Sequence, residues 1–138
     1  MAKFDAIGGP AAAFQPYLEP GEQVRNVAYG VKQPHILLIA CLGPIAAALM
    51  TKEYLVALTD RRIIALRFKG KKVEVQEILE YRLNSLPTAK TSTGAIFTHI
   101  KITDPAKPFV VKFHRMGPAP QNRENAMAIA AALGGKAA

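Results

Sequence analysis

Cysteine is nearly absent from this sequence: Cys41 is the only one in 138 residues. No intrachain disulfide can form, which suits a reducing compartment. The three histidines, His35, His99 and His114, have no metal-ligand spacing, and one cysteine cannot complete a zinc site. We therefore expect neither a metal nor another cofactor. No serine sits in a Gly-x-Ser-x-Gly frame, and Ser85 and Ser92 fall in expected loops. There is no glycine-rich phosphate loop. Glu74, Glu77 and Glu80 share one expected strand, with nothing to drive their environments apart as acid-base work requires. No residue is assigned a catalytic role, and the chain is read as a non-enzyme. The opening Met1-Ala-Lys-Phe-Asp lacks the order of a signal peptide. The longest apolar run, Ile36 to Met50, is shorter than the roughly 20 residues of a spanning helix and is broken at Gly43-Pro44. The expectation is a cytoplasmic protein, peripheral on the inner face of the cell membrane if it meets a membrane at all.

Acidic residues are also scarce: 10 against 18 lysines and arginines, a formal charge of +8. That balance favours anionic partners. Half the residues are apolar, enough for one domain with a real core. Residues 1–17 read as a lead-in, with a short helix over 11–18 whose Phe14, Tyr17 and Leu18 dock on the domain. Val24 to Val31 is the first strand, with Val24, Asn26 and Ala28 expected on one face. Gly30 is expected to weaken or bend its end. Tyr54 to Phe68 reads as two apolar strands around a turn at Thr59-Asp60-Arg61-Arg62, where the Asp60 side chain is expected to bond the backbone two residues on. Lys69-Gly70-Lys71-Lys72 is a second turn. Val73 to Leu83 follows as a strand, with Val73, Val75, Leu79, Tyr81 and Leu83 on one face. Three shorter strands are expected near 88–91, 95–103 and 109–113, the first at an edge because of Pro87. Tyr81, Phe97 and Phe109 are read as core rings, so nucleic acid is disfavoured as a partner. A helix over 121–133 carries Ala126, Ile129, Ala130 and Leu133 on one stripe, with Asn122 as a candidate N-cap and Gly134-Gly135 as its stop.

Seven strands in hairpin order and then one helix match a pleckstrin-homology-like (PH-like) barrel. The sequence Tyr54-Leu-Val-Ala-Leu-Thr-Asp-Arg-Arg-Ile-Ile-Ala-Leu resembles a signature of bacterial PH-like domains, including the YokE-like branch. Leu18-Glu19-Pro20-Gly21-Glu22 resembles their opening. The resemblance covers residues 18–133 and leaves 134–138 as a tail. It implies a mainly β (α+β) fold of about seven antiparallel strands capped by the C-terminal helix. It also implies a non-enzymatic binding module. PH domains that bind phosphoinositides carry a basic motif over the first two strands and their loop. Here that region is Arg25 and Lys32, then the apolar Ile36–Met50, then Lys52. It departs from the pattern, so no lipid-binding residue carries over.

Three readings of Ile36–Met50 follow from its lack of any charged or polar side chain. The length rule favours a buried core helix or strand. A hairpin bent at Gly43-Pro44 that dips into a bilayer, with Lys32, His35 and Lys52 at the headgroups, is the second. A self-association surface is the third. The functional expectation is peripheral association with an anionic membrane surface or a protein partner, through Leu42, Gly43, Pro44 and Ile45 with Lys32 and Lys52. The alternative is a self-assembling homo-oligomer that uses 36–50 as its subunit interface. Arg61, Arg62, Lys69, Lys71 and Lys72 are expected as basic surface, in two small patches at opposite ends of one strand.

Overall fold

The structure, a computed structural model, describes residues 9–33, 36–69, 74–116 and 121–134. His35, Gly70, Lys71, Lys72, Val73 and Gly135 lie outside the described residues. One antiparallel sheet of seven strands runs in the order β4-β3-β2-β1-β7-β6-β5. The strands are β1 (Val24–Lys32), β2 (Lys52–Thr59), β3 (Arg62–Lys69), β4 (Glu74–Arg82), β5 (Ala89–Thr93), β6 (Phe97–Ile102) and β7 (Phe109–His114). The sheet is mainly β with α+β character, as expected, but it does not close: β4 and β5 are free edges. The edge position of β5 agrees with the constraint from Pro87.

β2 and β3 are buried on both faces, which is why they read as near-continuous apolar runs. Tyr54, Val56, Ile63 and Ala65 face one core, with Tyr81, Ile100, Phe113 and the helix residues Ala126 and Ile129. Leu55, Ala57, Ile64 and Leu66 face a second, smaller one. A 3-10 helix, Pro10–Tyr17, covers the second core with Phe14, which is fully buried; Tyr17 and Leu18 pack beside it.

Two bulges overturn the expected strand faces. Val24 pairs with Thr59 and Asn26 with Leu58, so Arg25 is an extra residue on β1. One extra residue flips the phase of what precedes it. Val24 accordingly joins Val27 and Tyr29 against the smaller core, while Ala28 faces the larger. In β4, Arg67 pairs with Glu77 and Phe68 with Val75, which makes Gln76 the extra residue. Val75 turns to the smaller core, and Leu79, Tyr81 and Leu83 keep to the larger.

β1 and β7 share a single pairing, Val31 with Lys112. The C-terminal helix (Asn122–Ala132) closes the rest of that seam with side chains. Asn122 Oδ1 accepts from Tyr29 N at 2.7 Å, and Asn122 Nδ2 donates to Tyr29 O at 3.0 Å and to His114 O at 2.8 Å. Asn125 Nδ2 donates to Val27 O at 2.9 Å and Asn125 Oδ1 accepts from Asn26 Nδ2 at 3.0 Å. Asn122 is therefore not the N-cap. Gln121 holds that position with φ 58°, and the Asn122 side chain is used instead on the backbone of Tyr29 and His114. Gly30 has a different role from the one expected. A Cβ there would lie 2.5 Å from Val111 Cγ2 and 2.8 Å from the Phe113 ring, so glycine lets β1 pass close to β7.

Candidate functional site

The two sequence motifs meet. A two-residue turn, Asp60-Arg61, joins β2 to β3, and the Leu18–Glu22 lead-in lies against it. Glu22 takes Arg62 in a two-pronged ion pair, Nε to Oε2 at 2.9 Å and Nη2 to Oε1 at 2.8 Å. Arg62 also donates to Tyr17 O at 2.6 Å and to Glu80 Oε2. The Thr59 hydroxyl donates to Glu22 Oε2 at 2.7 Å and accepts from Arg61 N and Arg62 N. Arg82 holds Glu19 at 2.8 and 2.6 Å. The Asp60 carboxylate accepts from Gln23 N at 3.0 Å, a neighbour far along the chain rather than the residue two on. Thr59 supplies the local turn bonds instead. The Arg62 hydrogen bonds lower the Glu22 carboxyl from 4.5 to about 2, and Glu22 in turn raises Arg62.

This constellation is a latch between lead-in and sheet. Arg62 is buried, which corrects its assignment to the basic surface. Arg61 and Lys69 are exposed, Arg61 with Glu19 at 3.6 Å.

None of the described side chains of Ile36–Met50 joins either core. The segment forms two short helical pieces broken at Gly43, which has φ 85° and ψ 170°. Leu42 is 54% exposed, Ile45 80% and Leu49 83%. Gly43 supplies a left-handed φ, and Pro44 cannot donate to a continuing helix. Lys32 and Lys52, at the two ends of the excursion, are direct cross-strand partners. The segment therefore leaves and re-enters the sheet at one point. Each half is about seven residues, roughly 10 Å of helix at about 1.5 Å each.

The root of this hairpin is electrostatically unusual. Like charges directly opposite one another on a sheet are destabilising, yet Lys32 faces Lys52 and no ion pair with a described residue relieves either. The nearest carboxylate in sequence, Glu53, pairs with Val31 on the other face and accepts from the Tyr29 hydroxyl at 2.6 Å. Burial, with Glu53 adding to it, raises that hydroxyl. Beside the lysine pair opens a cleft of about 230 Å³, which Lys32, Lys52, Lys107, Tyr54 and Glu77 line. Three cations and one carboxylate give it a positive balance. Sequence reasoning missed Lys107; it lies in the loop before β7, and only the fold brings it to β1 and β2.

Among the described residues no group of three or more His, Cys, Asp or Glu could hold a metal ion. No described helix is long and apolar enough to cross a membrane.

No protein-family model matches the sequence, and no curated protein matches it. Among solved structures the fold is similar to the hSac2 domain from human phosphoinositide phosphatase Sac2, with TM-score 0.53 and 12% identity over 87% of this chain and 73% of that one. At that identity the likeness is one of fold, a β-sheet similar to a PH-like domain.

Proposed function

We propose that this chain is a non-catalytic PH-like module, of the bacterial kind its Thr59-Asp60-Arg61-Arg62 turn resembles, that attaches peripherally to an anionic membrane surface. One observation carries the reading: an exposed, uncharged helical hairpin rises from two directly opposed lysines. Each half of the hairpin, roughly 10 Å long, is long enough for the depth of about 5–10 Å at which interfacial segments lie. Leu42, Ile45 and Leu49 would each gain on the order of 1.5–3 kcal/mol on burial. Lys32, Lys52 and Lys107 would each add about 1 kcal/mol near anionic headgroups. The headgroups would also relieve the repulsion between Lys32 and Lys52. The solved fold neighbour belongs to a phosphoinositide phosphatase, so phosphoinositide-doped vesicles belong among the probes.

The test is co-sedimentation with neutral, phosphatidylserine-containing and phosphoinositide-doped vesicles at low and high salt. We expect salt-sensitive pelleting with anionic vesicles only. The exposed double substitution Leu42→Asp/Ile45→Asp should lower it at least tenfold without loss of folded signal. No pelleting under any condition overturns the reading. A wild-type oligomer that the double substitution dissociates would favour the self-assembly alternative, which uses the same apolar surface.

A further inference from the structure

The outer face of β5–β7 carries a second feature, independent of the hairpin. Register places its outward side chains on a grid. Lys90 lies opposite Lys101, Ser92 opposite His99, and Lys101 opposite Val110. His99 lies opposite Lys112, and Phe97 opposite His114. Columns are about 4.8 Å apart and rows about 7 Å. Three lysines and two histidines occupy the grid, and no acid does. The ion pairs between described residues fall on the other half of the molecule, among Glu19, Glu22, Arg61, Arg62, Arg67, Glu77, Glu80 and Arg82. The Lys90–Lys101 pair repeats the like-charge opposition seen at the hairpin root, again without an ion pair to a described residue.

The rings on this face are grouped. The Phe97 centroid is 5.9 Å from that of His99 and 5.2 Å from that of His114. Lys112 Nζ lies 4.6 Å from the Phe97 centroid. Phe97 and His99 border an open cleft of about 410 Å³ at the β5–β6 turn, room enough for a nucleobase. Phe97 is thus half-buried on the outside of the sheet, not in the core where the sequence reading placed it. Tyr81 and Phe109, the other two rings read as core, are buried there, so Phe97 alone of the three is open to a base.

We propose that the outer face of β5–β7 binds single-stranded nucleic acid, with an unpaired base against Phe97 and His99 and the backbone phosphates along Lys112, Lys101 and Lys90. Base stacking on sheet-borne rings beside cations is a sequence-tolerant mode of single-strand binding. The rings decide between polyanions. A phospholipid headgroup has no flat π-face to stack, and a duplex hides its bases from a sheet face.

Fluorescence anisotropy with a short labelled RNA of mixed sequence, single-stranded and as a duplex, tests this. The single strand should bind more tightly than the duplex. Its log affinity should fall with log salt at a slope of about −2, from three lysines at ~0.7 each. Phe97→Leu keeps an apolar side chain and removes the ring; it should weaken single-strand binding about fivefold or more. Lys90→Ala/Lys101→Ala should weaken it and flatten the slope. That variant removes a repulsion, so it should fold at least as well as the parent. Leu42→Asp/Ile45→Asp should leave RNA binding unchanged, so this proposal and the membrane reading stand or fall separately. No binding at low salt overturns it, as does equal affinity for duplex and single strand or indifference to Phe97→Leu. Loss of vesicle pelleting, rather than of RNA binding, in the Lys90/Lys101 variant would assign the face to the membrane and also overturn it.

Discussion

At Glu22 a carboxylate with no exposed side-chain surface is held by one guanidinium, one hydroxyl and one backbone amide. Its carboxyl falls from 4.5 to about 2, chiefly through Arg62. A carboxylate depressed on folding contributes stability that is fully present above its unfolded value. That stability is lost as pH falls from about 4.5 through about 2. The shift corresponds to on the order of 3 kcal/mol. Urea midpoints from pH 7 to pH 2 should therefore drop steeply below pH 4.5. Glu22→Gln should be weaker at pH 7 and lack that part of the slope; parallel profiles would contradict the latch. Both halves of this contact were legible as motifs, Leu18–Glu22 and Thr59–Arg62. Their partnership was not, because forty residues separate Glu22 from Arg62 and neither motif states what it binds. Arg62 looked like surface for the same reason: a charged residue reads as exposed until its counter-ion is placed beside it.

Among the elements, the strands and the C-terminal helix were legible because alternation and helical spacing are local properties. The faces at Val24 and Val75 were not. A single-residue bulge at Arg25 or Gln76 leaves composition unchanged and inverts the phase. The apolar segment shows a different limit. Ile36–Met50 has the composition of a core element, and length alone favoured burial. The Gly43 break and the return to a paired Lys32 and Lys52 place it outside the fold instead. The C-terminal helix does more than cap the sheet, since Asn122 and Asn125 complete the seam where β1 and β7 hardly pair. Asn122→Ala would remove the side-chain partner of Tyr29 N and of two carbonyls at a part-buried seam. We predict a loss of about 1–3 kcal/mol in chemical unfolding. Amide exchange should rise first at Tyr29, and a change within error at both readouts would refute the seam.

Over the whole molecule, charge is segregated. Acids and arginines pair around β2–β4, while lysines without ion pairs to described residues gather at the hairpin root and on the outer face of β5–β7. The sequence shows an excess of 18 basic over 10 acidic residues but not this sorting, which arises from strand order. The proposed attachment requires that the hairpin at Gly43 enter a membrane. Cys41 is exposed, lies next to Leu42 within the hairpin, and is the only cysteine in the chain. It can be labelled with an environment-sensitive fluorophore without any substitution. On addition of phosphatidylserine vesicles at low salt, the label should shift to shorter wavelength and be quenched by spin-labelled acyl chains. High salt should reverse both changes. Vesicle binding with the label still in water, or no change at any lipid concentration, would contradict the claim.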